Sequence, residues 1–265
     1  MILQQLADTA RKRVAEDQKN ITTVQMRAMA EALAAEQKEP FRFYRSLSQP
    51  GMRFICEVKK ASPSKGLIAA DFPYLSIARE YEEAGAAAIS VLTEPSRFLG
   101  SDAYLQEIAA QAGIPVLRKD FTVDAYQIYQ AKVLGTEAVL LICALLDTEE
   151  IREDLAICRS LGINAIVEAH DAAEVSSAVN AGADIIGVNN RNLKDFTVDI
   201  HNGLRLRSLV PEDVLFIAES GIKTREDIRQ LEEGHVDAVL IGETLMRQPD
   251  KKKALAVLRG SEETL

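Results

Sequence analysis

The stretch ICEVKKASPSKG, residues 55–66, sets a carboxylate and an ammonium two residues apart at Glu57 and Lys59. Successive side chains of an extended strand point to opposite faces, so Glu57 and Lys59 share one face while Val58 and Lys60 share the other. If the shared face is interior, an acid and a base sit side by side in a confined place. Such a pair can move protons on a bound molecule and stabilise negative charge growing on its oxygen. On a surface strand the same residues would be a solvated ion pair, and the twelve residues taken alone favour that plainer alternative.

The elements that would position these groups recur along the chain. Eight apolar runs fall at 53–60, 84–94, 112–121, 134–146, 161–171, 181–192, 214–221 and 236–245, most of them preceded by a small residue and Gly. Between them lie stretches such as YLSIAREYEEAG, VDAYQIYQAKVLG and TREDIRQLEEG, with apolar residues at helical spacing and Gly where a C-cap belongs. Short apolar runs without clean alternation suit parallel strands covered on both faces. Eight strand-helix units predict an α/β protein, a closed (β/α)8 TIM barrel. A doubly wound sheet could hold as many units, but no GxGxxG opens a helix after the first strand.

In such a barrel the chemistry gathers where the strands end, because eight loops converge on that face. Read in order, the strand ends carry Glu57 and Lys59, Thr93 and Glu94, Lys119 and Asp120, Glu168, Asn189 and Arg191, Glu219 and Ser220, and Gly242 and Glu243, with Asp147 some way beyond the fourth. The segments leading into the strands are mostly Ala, Gly, Ile, Val and Pro. This asymmetry turns the estimate for Glu57 and Lys59 toward a polar mouth shared with Lys119 and Glu168. In AESGIKTRED, Ser220 and Gly221 form a turn into a helix that Thr224 is expected to cap, and IGETLMR repeats the geometry at Gly242. Glycine lets backbone N–H groups approach an anion, and a helix N-terminus favours it. With Arg191 available from the sixth strand, the pattern predicts a phosphorylated substrate.

Composition excludes other classes. A formal charge of −9 argues against nucleic-acid or anionic-membrane partners, which need a basic field. The 47% hydrophobic content is ample for a core, and no apolar run approaches the length of a bilayer span. The N-terminus is charged throughout and lacks a signal-type apolar region, and Cys56, Cys143 and Cys158 have no metal-ligand spacing. These features predict a soluble protein of the reducing cytoplasm, a stand-alone barrel and a monomer, although an oligomer stays open. His170, His201 and His235 are too scattered to suggest a metal. Asp120 and Glu94 are expected to cap or pair at the mouth, and the cysteines to pack as small apolar residues. The chain is read as one domain, 1–265, with a helical extension over 1–50 ahead of a barrel over 51–265. The extension should hold two amphipathic helices, near 2–18 and 22–37, serving either as a plug under the barrel or as a lid over its mouth.

Seven segments, EVKKASPSKG, VLTEPSRFLGS, LRKDFTVDAYQIYQA, IVEAHD, IGVNNRNL, AESGIKT and LIGETLMR, together resemble the indole-3-glycerol-phosphate synthase family of tryptophan biosynthesis. Their order matches too, the likeness spans nearly the whole chain, and an N-terminal extension of this length is similar to that family's. The resemblance implies ring closure of 1-(o-carboxyphenylamino)-1-deoxyribulose 5-phosphate to indole-3-glycerol phosphate, with loss of carbon dioxide and water and no metal or organic cofactor. It implies Lys119 as the general acid, Glu168 and Lys59 in the later proton transfers, and Glu57 orienting and balancing charge. It further implies Asn189 beside the substrate's polar atoms. Arg191, Glu219, Ser220, Gly221, Gly242 and the backbone at Glu243 would face phosphate and sugar. Phe98, Phe121 and Leu140 would flank the aromatic ring, unless they are ordinary packing, and Ser62 would cap its turn or touch phosphate. Ala61 stands where some members carry a third lysine, and with no Trp in the chain no indole side chain can stack on the substrate. A neighbouring phosphate-barrel enzyme, whether isomerase or aldolase, and a non-catalytic scaffold fit less well. A sugar-phosphate isomerase would want a Cys-Asp or paired-Asp system, an aldolase would use Lys119 as an imine-forming amine, and a binding scaffold has no need of two lysines and two glutamates at one mouth.

Overall fold

The computed structural model describes residues 2–192 and 196–261. Eight parallel strands close on themselves: β1 (Arg53–Val58), β2 (Ala88–Leu92), β3 (Val116–Lys119), β4 (Ala138–Ile142), β5 (Asn164–Ala169), β6 (Ile185–Asn189), β7 (Leu215–Glu219) and β8 (Ala238–Ile241). Each pairs with its sequence neighbours, and β8 returns to β1 with Arg53 opposite Ala238. The strands are buried almost throughout, as expected where one face fills the barrel and the other meets helices.

The pleat sorts the side chains into two cores. Ile55, Leu117, Leu140, Ile166, Ile217 and Leu240 belong to the cluster inside the barrel, while Phe54, Cys56, Val58, Val116, Val139 and Val167 pack outward under the helices. Two residues beyond the inner aliphatics, on the same face, come Glu57, Lys119, Glu168, Glu219 and Gly242. The charged mouth is therefore the top layer of the barrel's own interior. The period-two argument for Glu57 and Lys59 holds, and Val58 is buried on the opposite side.

The outer helices are α4 (Tyr74–Glu83), α5 (Asp102–Ala109), α6 (Ala125–Val133), α7 (Thr148–Ser160), α8 (Ala172–Ala181), α9 (His201–Arg207), α10 (Arg225–Glu233), the single turn α11 (Glu243–Met246) and α12 (Lys251–Arg259). Thr224 caps α10 as expected, in a capping box with Asp227. No helix among the described residues is long and apolar enough to cross a membrane.

The extension forms three helices: α1 (Ile2–Asn20), α2 (Thr23–Glu36), started by a Thr22–Gln25 capping box, and α3 (Arg42–Leu47). It serves at both ends of the barrel. Arg13 of α1 reaches the mouth side, where its guanidinium donates to both oxygens of Asp120 at 2.8 and 2.7 Å. The α2 helix lies along α6, and α3 turns under the barrel. There Phe43 and Leu47 enter the interior cluster beside Ala87, Ala88, Ala138 and Ala238, residues at or just before the starts of their strands. Asn164 Oδ1 accepts from the Tyr44 N–H at 3.0 Å, and Ser46 donates to the Ala87 carbonyl at 2.6 Å. The plug and lid alternatives are thus not exclusive, because α3 is a plug and α1 braces the mouth through a charge rather than through an apolar cover.

Phe43 is fully buried. Phe43→Ala should cost about 3–5 kcal/mol in urea unfolding, the range for truncating a core aromatic. A loss below about 1 kcal/mol would show that α3 is not part of the core.

Candidate active site

Lys119 closes β3 with its side chain turned into the barrel. Its Nζ donates to Glu168 Oε2 from β5 and to Glu219 Oε2 from β7, each at 2.8 Å. Burial alone would strip the proton from this ammonium, but the charges of Glu168, Glu219 and Glu57 outweigh it and hold Lys119 well above the ordinary lysine value. Burial would likewise raise Glu168, yet Lys119 and then His170 bring it down to about 2. Glu219 goes the other way. Burial pushes it up, Lys119 opposes, and the nearby Glu168 and Glu57 charges help leave it at about 7. Glu168 and Glu219 therefore differ in proton affinity, an arrangement able both to give and to take protons.

Lys59 Nζ hydrogen-bonds Glu57 Oε1 at the end of β1, and both are largely buried, at 16% and 5% side-chain exposure. The pair lies across the end of β8 because Gly242 has no side chain. A Cβ there would collide with the Glu57 carboxylate and sit 2.8 Å from Lys59 Nζ. Lys60 faces away, with its Nζ 5.9 Å from the centre of the Phe72 ring.

The loops expected from the sequence to face phosphate follow β6, β7 and β8, and the loop after β1 reaches them. Ser220 and Gly221 follow β7 with φ of 68° and 85°, so two successive residues are left-handed. Asn190 Nδ2 donates to the Ser220 carbonyl at 3.1 Å, while Asn190 Oδ1 accepts from the Gly203 N–H at 3.0 Å, tying the loops after β6 and β7 together. Asn189 faces inward, accepts from the Arg191 N–H at 3.0 Å and supports Glu168. Arg191 Nη1 donates to the Phe196 carbonyl at 3.4 Å. Glu243 begins α11 and pairs with Arg247 at 3.1 Å and Lys65 at 3.7 Å, which brings the loop after β1 to the end of β8. Ser62 is buried in the small antiparallel hairpin, Ala61–Ser62 with Gly66–Leu67, that forms this loop. Phe98 and Phe121 stand on neighbouring loops with ring centroids 6.1 Å apart, and Phe121 and Leu140 both pack with the interior cluster.

Lys119, Glu168, Glu219, Glu57 and Asn189 thus meet directly or through one another's charge, with Lys59 hydrogen-bonded to Glu57. Glu94 and Asp120 do the structural work expected of them. Glu94 accepts from the N–H groups of Ser96, Arg97 and Phe98, and Asp120 takes Arg13, the Thr93 hydroxyl and the Phe121 N–H. Two residues of the mouth escaped the sequence reading. Asn190 shows no signal beyond its neighbours. His170 does, because it stands two residues after Glu168, the same spacing that joins Glu57 to Lys59.

The model of the family "Indole-3-glycerol phosphate synthase" matches residues 3–258. A protein of that name from Ruminiclostridium cellulolyticum is 54% identical over 261 residues, covering 98% of this chain and 100% of the relative. Another, from Endomicrobium trichonymphae, is 52% identical over 261 residues, with 98% and 100% covered. Among solved structures, a thiamine phosphate pyrophosphorylase from Pyrococcus furiosus superposes with a TM-score of 0.57 at 16% identity, over 79% of this chain and 94% of that one. A tryptophan synthase complex, also from Pyrococcus furiosus, gives 0.58 at 14%, over 79% and 98%. At these identities the two structures speak for the barrel alone. The family match takes in all three helices of the extension, all eight strands and every charged residue of the mouth, and the chain belongs to the indole-3-glycerol phosphate synthase family.

Proposed function

We propose that this chain closes the pyrrole ring of 1-(o-carboxyphenylamino)-1-deoxyribulose 5-phosphate, releasing carbon dioxide and water to give indole-3-glycerol phosphate, with Lys119 as the general acid. The observation that carries this assignment is Lys119 Nζ held by Glu168 and Glu219 at 2.8 Å each. An aromatic carbon attacking the ketone leaves negative charge on oxygen, and a fixed ammonium at the mouth meets that charge as it forms. The same clamp argues against an aldolase, whose lysine must shed its proton to attack a carbonyl as an amine.

Loss of carbon dioxide restores the aromatic ring and needs no further acid. Dehydration needs a proton on the departing hydroxyl and a base for the proton on nitrogen or carbon. Glu168 and Lys59 stand ready for these transfers, with Glu57 orienting Lys59 through their hydrogen bond. Ring closure, decarboxylation and dehydration balance as proton transfers alone, so no metal or organic cofactor enters the proposal. Backbone N–H groups around Ser220–Gly221 and Gly242–Glu243, with Arg191, hold the phosphate. Asn189 and Glu219 meet the polar chain of the sugar, Phe98, Phe121 and Leu140 line the place of the aromatic ring, and Ser62 contributes from the first loop. We place this work in the cytoplasm, whose reducing conditions suit three free cysteines.

The test is to supply the carboxyphenylamino substrate and follow indole fluorescence. Lys119→Met should keep the fold and lose at least ~100-fold in turnover, the lower end for removing a general acid. Near-native turnover would remove Lys119 from the mechanism. Arg191→Ala should raise KM more than it lowers kcat if the arginine grips phosphate equally in ground and transition states. An unchanged KM, with inorganic phosphate still competing normally, would place Arg191 elsewhere.

A further inference from the structure

Beyond the residues given roles above, the mouth holds one more titratable ring. His170 leaves β5 two residues after Glu168 and keeps only 16% of its side chain exposed. Its Nδ1 lies 3.0 Å from Glu174 Oε2 on α8, and the same oxygen accepts the His170 backbone N–H at 2.8 Å. Asn202 of α9 donates to the His170 carbonyl at 3.1 Å. The ring is thus anchored through α8 and its backbone through α9. Its Nε2 points at Glu168 Oε1, 3.5 Å away, the oxygen that Lys119 does not use. That is ion-pair reach without hydrogen-bond alignment, and Nε2 is buried with no hydrogen-bond partner among the described residues.

We propose that His170, anchored by Glu174, is a positioning residue that supplies the second positive charge of Glu168 while Lys119 gives its proton to the substrate. This rests on the roles assigned to Lys119 and Glu168 above. When the N–H bond of Lys119 breaks and its proton passes to the ketone oxygen, the lysine is left a neutral amine. Glu168 is then a buried carboxylate that has lost its main partner, and an unpaired buried charge is strongly unfavourable. An imidazolium against the other oxygen fills that gap. It keeps both its ring protons throughout, and no bond to it forms or breaks.

Lys119 answers two carboxyl groups, Glu168 and Glu219, and a protonated His170 adds a second positive charge against Glu168. The groups facing the ring are Glu168 from its own strand, Glu174 from α8 and Glu219 from β7, with Lys119 of β3 acting through Glu168. Cys143, after β4, donates to the Glu174 carbonyl at 3.4 Å, and burial pushes its thiol up to about 12, so it stays neutral. Burial disfavours the imidazolium, but Glu174, Glu168 and Glu219 outweigh it and raise His170 above the ordinary histidine value. The second charge is therefore present below the ordinary histidine value and lost as pH rises past that raised midpoint.

The ring protons can be titrated by NMR on the whole chain, with His170→Asn to assign the His170 signals. Its midpoint should lie above 6.5 and fall by about one pH unit in Glu168→Gln and in Glu174→Gln. In the ring-closure assay, wild-type kcat should decline above that midpoint. His170→Asn should be about tenfold slower below it, with KM little changed and that decline absent; one pKa unit of lost charge stabilisation corresponds to tenfold. Glu174→Gln, which keeps the ring and an acceptor for its backbone, should move the decline to lower pH and serves if His170→Asn folds poorly. A midpoint indifferent to Glu168→Gln, or a His170→Asn loss of the same factor at every pH, would overturn the proposal. A wild type with no ring-closure activity would instead sink the assignments to Lys119 and Glu168, and the NMR midpoints would still decide whether His170 and Glu168 are paired.

Discussion

Lys119 is held between Glu168 and Glu219 at the top of a barrel whose interior below the mouth is largely apolar, and the rest of the mouth is arranged around that ammonium. A lysine buried this deeply would ordinarily give up its proton, and a carboxylate beside it would ordinarily take one. Each stays charged only because the other is charged. The glycines follow from the same constraint. A Cβ on Gly187 would collide with Glu219 Oε1, and one on Gly242 would collide with the Glu57 carboxylate. β6 and β8 thus give up side chains so that carboxylates from the neighbouring strands can lean inward toward the cation. A cluster assembled in this way has its proton affinities set before any substrate arrives, which is the preorganised state that acid-base catalysis needs.

The N-terminal extension connects this mouth to the stability of the fold. At one end, α3 closes the bottom of the barrel with Phe43 and Leu47. At the other, Arg13 of α1 neutralises Asp120, the residue directly after Lys119. Asp120 is fully buried, where burial would raise its proton affinity, but Arg13 and Arg118 hold it below the ordinary aspartate value. Arg118, the outward-facing residue before Lys119, also reaches Asp102 at 2.9 Å. The inward lysine is therefore flanked along the strand by two outward charges, each pinned to a helix. β3 gains a fixed end from contacts on the outward side of the strand.

Much of this arrangement was legible in the chain. Eight apolar runs between helical stretches specified the barrel, and the period-two rule put Glu57 and Lys59 on one face and Val58 and Lys60 on the other, because a strand admits no other alternation. The strand-end rule then placed Lys119, Glu168 and Glu219 in one mouth. What stayed hidden depends on distance across the barrel. Nothing local distinguishes plug from lid for the extension, since α3 finds its partners some 40 to 190 residues away. Asn190 joins two loops through a carbonyl and an N–H that carry no sequence mark. His170 was passed over because histidines were weighed as metal ligands rather than as neighbours, although the alternation that exposed Lys59 applies equally to Glu168 and His170. The family likeness supplied the substrate and the assignment of roles, neither of which follows from spacing.

The claim on which the rest depends is that Lys119 stays an ammonium because its carboxylate neighbours outweigh its burial. Lysine side-chain NMR on the 15N-labelled chain, with the Lys119 signal identified by its loss in Lys119→Met, measures this directly across an alkaline titration. The carboxylate clamp predicts that Lys119 keeps its proton beyond pH 10.5, the value of an unperturbed lysine. A Lys119 that titrates below that value would mean that burial wins, and the general acid would have to be sought elsewhere in the mouth.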